Sequence, residues 1–127
     1  MGPEYTTEQL AVANNAIIRM AVESWRFSRA FERMLIKLDV GEQQRHASQL
    51  RWFLKRIDDS LEECGYFVVN VEGHPFEPGL AATPLNIDEF DVNDSLVVEH
   101  MIEPIIMSKQ EECLIRPGTV TLRRSSI

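Results

Sequence analysis

The sequence is poor in the basic clusters that mark proteins binding nucleic acids or acidic membranes. Its 127 residues contain 13 Lys and Arg against 20 Asp and Glu, which gives a net charge of −7. Binding to a phosphate backbone or to an anionic membrane surface depends on clustered positive charge. We therefore expect neither a nucleic-acid partner nor a membrane partner.

Long hydrophobic runs and cysteines are also scarce. The most apolar early segment, residues 16–22, is interrupted by Arg19 and is far too short to cross a bilayer. The first residues lack the basic and then apolar pattern of a secretory signal. The two cysteines, Cys64 and Cys113, have no metal-type spacing and are too few for a disulfide framework. These absences favour reduced thiols and a cytoplasmic protein.

Catalytic motifs are missing as well. There is no glycine-rich phosphate loop and no Gly-x-Ser-x-Gly turn. The three histidines are His46, His74 and His100. A metal site that combines His74 and His100 with neighbouring carboxylates is one interpretation, but no pair has ligand spacing on a predicted helix. We interpret them, and the acidic stretch 88–94, as ordinary polar groups, and predict a protein that is not an enzyme and needs no metal or cofactor.

What the sequence does contain is a long helical pattern. A seam whose residues step by three and four predicts one helix of about thirty residues, capped at Thr6 or Thr7 and ended by Val40 and Gly41. The seam comprises Leu10, Ala13, Ile17, Met20, Ser24, Phe27, Phe31, Met34 and Leu38. Further apolar residues widen the stripe, which indicates more than one neighbouring helix. These residues are Ile18, Val22, Trp25 and Leu35.

A second helix is predicted from about Gln43 to Cys64, where Gly65 can adopt the left-handed conformation that closes a helix. Its apolar line is Ala47, Leu50, Leu54, Ile57, Leu61 and Cys64. The short connection implies that the two helices pack antiparallel. Two helices alone bury too little apolar surface, so we predict that two chains associate into a four-helix bundle as a homodimer.

Short β-rich segments separated by turn residues fill the second half of the chain. The predicted strands are 66–71, 95–102, 105–107, 113–116 and 119–123, with Pro104 and Pro117 as breaks. They predict a compact antiparallel sheet or a small open barrel, paired with strand 66–71. The expected fold class is therefore α+β. A helical dimerisation region, residues 1–65, precedes a small all-β domain, residues 66–127.

The order of these pieces resembles the GrpE family, the nucleotide exchange factors of DnaK-type chaperones. The resemblance rests on Gly-His-Pro-Phe-Glu-Pro at 73–78, Leu-Val-Val-Glu at 96–99, and Leu-Ile-Arg-Pro-Gly-Thr-Val-Thr-Leu at 114–122. Residues 28–32, Ser-Arg-Ala-Phe-Glu, are similar to the family's Asp-Arg-Ala-Leu-Glu stretch. The resemblance as a whole covers roughly residues 20–124.

The resemblance implies a co-chaperone that promotes ADP release by binding the ATPase domain of a DnaK-type chaperone. Arg29 and Glu32 would meet the chaperone from the bundle, and Phe76, Met101 and Leu122 would supply apolar contacts from the β-domain. Flexible Met and exposed Phe suit such a surface, although the same three residues could be simple core. A GrpE-like dimer that binds another partner, without exchange activity, is the alternative.

Overall fold

The structure is a computed structural model that describes residues 4–110 and 112–125. Two long helices precede six short strands, so the protein is α+β as predicted. Residues 1–3 of the predicted helical region and residues 126–127 of the predicted β-domain lie outside the described residues. No helix within the described ranges is both long and apolar enough to span a bilayer.

Side-chain caps define the starts of both helices. Helix α1 spans Thr7–Leu35; the Thr6 hydroxyl accepts from the Gln9 amide at 3.1 Å, and the Gln9 side chain accepts from the Thr6 amide at 2.8 Å. This reciprocal capping box satisfies two backbone donors that the helix itself leaves unbonded. Helix α2 spans Val40–Glu63 and is followed by Gly65, whose φ of 84° is the predicted left-handed stop.

The predicted boundary between the helices was wrong. We predicted that Val40 and Gly41 end the first helix, whereas α1 ends at Leu35 and Val40 is the first residue of α2. The physical reason is Asp39, whose carboxylate accepts from the Glu42 amide at 2.9 Å and so caps α2.

The strands form two three-stranded sheets. Their bounds are β1 Tyr66–Val69, β2 Ala82–Pro84, β3 Leu96–Glu103, β4 Ile105–Ser108, β5 Leu114–Arg116 and β6 Gly118–Arg124. The first sheet has the order β1-β4-β5, and the second has the order β2-β6-β3. Pro104 separates β3 from β4, and Pro117 separates β5 from β6, so both predicted breaks are points where the chain passes between sheets.

Three details of the β prediction were wrong. Strand β2 was predicted as loop, yet it pairs parallel with β6, so the sheets are not wholly antiparallel. Strand β1 ends at Val69 rather than residue 71, because the Asn70 side chain accepts from the Glu72 amide and turns the chain. Only β4 pairs with β1, so the strand is not the centre on which the later strands assemble.

Two apolar clusters hold the elements together. The first lies in the β-region and consists of Val71, Val98, Met101, Ile105, Val120 and Leu122. The second joins both helices to the first sheet and consists of Ala21, Val22, Leu61 and Ile106. The helical and β-regions therefore share a core across residue 65, and the proposed domain division there stays a prediction about independent folding.

The face of α1 that packs within the chain is not the predicted seam. Its buried residues are Ala21, Val22, Ser28 and Leu35. Most of the seam instead lies on the surface, with Met20 67%, Phe27 60% and Met34 62% exposed. The residues that widened the sequence stripe thus cover the chain's own core, and most of the seam remains exposed in this chain, although Ile17 packs against the second cluster.

Candidate interaction surface

A closed set of polar contacts fixes α1 against strand β3. The Trp25 indole Nε1 donates to the Met101 carbonyl oxygen at 2.8 Å, and the Met101 amide donates to Glu72 Oε2 at 2.9 Å. Met101 lies between two register shifts in the pairing of β3 with β6, which bracket this peptide. Both polar groups of one buried residue are thus satisfied by side chains from outside the strand.

Arg29 completes this set. Its guanidinium lies 4.2 Å from the centre of the Trp25 ring, and Nη2 donates to Glu72 Oε1 at 2.7 Å. Glu72 therefore connects Arg29 of the helix with Met101 of the sheet. The Arg29 Nε is buried and has no hydrogen-bond partner among the described residues. Stacking on an indole and charge-assisted hydrogen bonds to Glu72 and Glu32 hold this side chain in a single orientation.

A second tie between helix and sheet runs through Glu103. Its Oε2 accepts from Arg26 at 3.3 Å, and its Oε1 accepts from Arg116 and Thr119, each at 3.1 Å. Glu103 is the last residue of β3, while Arg26 lies on α1. A network of this kind resists screening better than an isolated surface pair, so it reinforces the orientation set at Met101.

Beside this junction lies an open cleft of about 370 Å³. Its lining includes Arg29, Glu32, Ile36 and Ile102. The predicted contact residues form an ion pair, with 3.3 Å between Arg29 Nη1 and Glu32 Oε2, and the side chain of Glu32 is 46% exposed. The structure therefore brings these two predicted residues together on the surface where the helix meets the sheet.

The turn at 73–78 lies along the outer edge of β3. The Gly73 amide donates to the Val98 carbonyl at 2.9 Å, and the Val98 amide donates to the His74 carbonyl at 3.0 Å. The Phe76 amide donates to the Leu96 carbonyl at 2.9 Å. Gly73 has a φ of 83°, which a residue with a side chain rarely adopts, so the glycine is required by the turn itself. Phe76 is half-buried against the β-region core.

Two of the predicted apolar contact residues are not at the surface. Met101 is 0% and Leu122 1% exposed, and both belong to the central cluster of the β-region. Their core interpretation, which the sequence left open, describes this conformation, and their predicted contact with a chaperone does not fit it. The physical reason is strand alternation: the sheet directs both side chains inward, opposite Val120 and Val98 respectively.

Two histidines and two aspartates define the environment of the described ionisable groups. His74 and His100 are exposed, and no group of three or more potential metal ligands occurs among the described residues. Partial burial beside a cleft of about 380 Å³ between α2 and β1, together with neighbouring Asp59, raises the pKa of Asp58. The hydrogen bond from the Asp91 amide, and the contact with Arg124, lower the pKa of Asp94.

Sequence reasoning missed the residue that connects the junction, Glu72. A single carboxylate next to a turn carries no pattern, and only the fold brings it to Arg29 and Met101. Trp25 was noted as an extra apolar residue, and its indole N–H was the available signal, because a buried indole donor needs an acceptor. Nothing in the sequence indicated that the Met101 carbonyl oxygen would be the acceptor.

Comparisons with known proteins give no family assignment. No protein-family model, no curated protein and no solved structure matches this chain. The resemblance in short motifs therefore remains a hypothesis, and the geometry of the junction and of the turn is the basis for developing it.

Proposed function

We propose that this chain is a GrpE-like nucleotide exchange factor. It acts as a cytoplasmic homodimer that binds the ATPase domain of a DnaK-type chaperone and promotes ADP release, with no covalent step and no cofactor. To do so it must bind the open nucleotide cleft more tightly than the closed one, since only differential affinity shifts such an equilibrium.

The observation that carries the proposal is the spatial convergence of the three separated motifs. The turn at 73–78 is hydrogen-bonded along β3, which contains the Leu-Val-Val-Glu motif. Strand β3 in turn pairs with β6, which contains the end of the Ile-Arg-Pro-Gly motif, with Val98 opposite Leu122. The first part of the third motif, residues 114–116, lies in β5 of the other sheet, so the support comes from the contacts of the turn and of β6 with β3.

The uncovered helix faces support the homodimer part of the proposal. Both helices carry large apolar side chains at their surface, including Phe27 at 60% and Trp52 at 64% exposure. Phe27 stacks on Phe31 at 5.8 Å between ring centres, which makes a continuous aromatic area on α1. Apolar area of this kind on paired helices is typical of a bundle interface between copies.

The direct test measures release of fluorescent ADP from a purified DnaK-type chaperone from the same source. The wild-type chain is expected to accelerate release. Glu32→Ala should lower the acceleration, because Glu32 is a predicted contact and is exposed. Glu23→Ala is the matched control, since it removes a carboxylate of 64% side-chain exposure from the same helix. Unchanged release with the wild-type chain would reject the proposal.

The second candidate is a GrpE-like dimer that binds without driving exchange. The burial of Met101 and Leu122 favours it, because two of the three expected apolar contacts are inside the core. Under this alternative the wild-type chain binds the ATPase domain, or another partner, while ADP release stays at its intrinsic rate. Binding and release measured on the same samples separate the two candidates.

A further inference from the structure

A groove of about 500 Å³ lies at the side of the β-region, between the turn at 73–78 and the loop that precedes β3. Its apolar lining consists of Phe76, Ile87, Phe90, Val92 and Leu96. Ile87 is 41% exposed, and Val92 is fully exposed. The predicted contact residue Phe76 therefore belongs to a larger apolar surface that the sequence did not reveal.

The loop that carries Ile87 and Val92 is anchored at both ends. At its start, the Asn86 side chain donates to the Leu122 carbonyl at 3.0 Å and accepts from the Leu122 amide at 2.8 Å. These two bonds occupy the edge of β6 beyond the end of β2. The apolar side chains thus project from a segment held by the sheet, which limits the ordering cost of binding.

At the far end of the loop, Asp94 and Arg124 provide the second anchor. Asp94 Oδ2 accepts from the Asp91 amide at 2.9 Å and from Arg124 Nε at 3.2 Å. The Arg124 guanidinium also lies 5.3 Å from the centre of the Phe90 ring. The Ser125 amide donates to the Ser95 carbonyl at 2.8 Å, which ties the loop end to the end of β6.

The rim of the groove is negatively charged. Asp88 and Asp91 both line it and are exposed. Neither carboxylate has a hydrogen bond or an ion pair within the described residues, whereas that of Asp94 is neutralised by Arg124. An apolar groove with two free carboxylates complements a surface that combines an apolar side chain with positive charge.

A solvated turn would explain any one of these features alone, since single exposed apolar residues and acidic loops are common. Here the exposed Ile87 and Val92 adjoin Phe76, the loop is bonded at both ends, and the free charges flank the apolar area. The combination is that of an interaction surface rather than of a loose connection.

We propose that this groove is where the β-region docks on its partner, and that the partner presents there an apolar side chain flanked by Lys or Arg. The inference rests on the proposed function, and the partner surface is accordingly part of the chaperone's ATPase domain. It adds residues 87–92 to the contact surface, while Met101 and Leu122 support that surface from the core.

The test compares two charge-removing variants in binding to the isolated ATPase domain and in ADP release. Asp88→Asn with Asp91→Asn removes the rim charge, and Asp59→Asn with Glu63→Gln removes two charges from α2 as the control, although the Asp59 carboxylate pairs with Lys55. The rim variant is expected to bind about tenfold more weakly at about 50 mM KCl, with most of the difference lost at about 300 mM as salt screens the charges.

The apolar half of the groove is tested with Val92→Ser. Val92 is fully exposed, so the variant is expected to keep the unfolding midpoint of the wild-type chain. It should bind the ATPase domain about fivefold more weakly, at low and high salt alike, because apolar burial is insensitive to screening. Thermal unfolding of every variant provides the check on folding.

The outcomes separate this inference from the function on which it rests. Weaker binding by the rim variant and by Val92→Ser, with normal binding by the α2 control, supports the groove. If the wild-type chain accelerates release while both groove variants equal the control, the docking assignment is wrong and the exchange function stands. If the wild-type chain neither binds nor accelerates release, the proposed function fails and the docking assignment fails with it.

Discussion

The helical and β-regions differ in how far each covers its own apolar side chains. Of the twelve buried apolar residues in the described part of the chain, seven lie in the β-region and five in the two helices. The β-region encloses a cluster that is nearly inaccessible, whereas the helices leave Phe27, Met34 and Trp52 on the surface. The β-region thus has an enclosed core, while the helices leave most of their predicted apolar seam exposed.

The largest effect is expected in the core of the β-region. Met101→Ala should lower the free energy of unfolding by about 2–5 kcal/mol, because it removes a fully buried side chain and leaves a cavity. Chemical denaturation measures the loss, with Val92→Ala as the fully exposed control. A loss equal to that of the control would mean that the β-region does not enclose a core.

The next largest effect concerns the surface of the helices. Phe27→Ser should weaken self-association about thirtyfold, since a central aromatic of an interface contributes about 2 kcal/mol or more. Sedimentation over a concentration series measures it, and Val12→Ser, equally exposed but off the seam, is the control. A wild-type chain that sediments as a monomer at micromolar concentration would contradict the contrast between the two regions.

The junction between the regions should give an intermediate effect. Glu72→Ala leaves the Met101 amide without its acceptor and should reduce stability by about 1–3 kcal/mol. Glu72→Gln keeps an acceptor but loses the charge that faces Arg29, so a smaller loss is expected. Hydrogen exchange at the Met101 amide is the local readout, and unchanged protection in Glu72→Ala would show that the carboxylate does not hold the strand.

The smallest expected effect is a change in how stability depends on pH. Because the pKa of Asp58 is raised in the folded protein, its ionised form costs stability above that pKa, and the cost disappears on acidification. Asp58→Asn should therefore stabilise the protein at neutral pH by less than about 0.5 kcal/mol. The gain should be lost at about pH 3, where Asp58 is protonated in both the folded and the unfolded chain.

Asp94→Asn should show the opposite sign. Its pKa is lowered on folding, so the ionised carboxylate contributes stability above its ordinary value of 3.8 that is lost as pH falls through the lower folded value. The variant should be less stable than the wild-type chain at neutral pH and should approach it in acid. Denaturation midpoints across the pH range check both variants, and parallel profiles would contradict the assigned causes.

Local structure was largely predictable from the sequence, because it depends on neighbours along the chain. The stop at Gly65 and the breaks at Pro104 and Pro117 follow from backbone constraints of single residues. The boundary at Asp39 was missed because capping and glycine signals competed within three residues. Strand β2 was missed because its partner, β6, lies more than thirty residues away.

The interaction surface was less predictable, for a different reason. Arg29 and Glu32 were named from the resemblance, and their proximity follows from their spacing of three residues on one helix. For Met101 the sequence left a surface contact and a core position both open, since a strand pattern indicates alternation but not which face is covered, and the side chain is buried. Glu72 and the groove around Val92 depend on contacts between distant segments, for which the chain carries no periodic signal.

Strand β3 is an edge strand of its sheet, yet several of its outward backbone groups are bonded. The turn bonds the Leu96 carbonyl and both polar groups of Val98, and Trp25 with Glu72 bonds those of Met101. An edge with free amides and carbonyls is a template on which other chains add strands. The turn, Glu72 and Trp25 of α1 therefore together occupy the part of the edge on which another chain could add a strand.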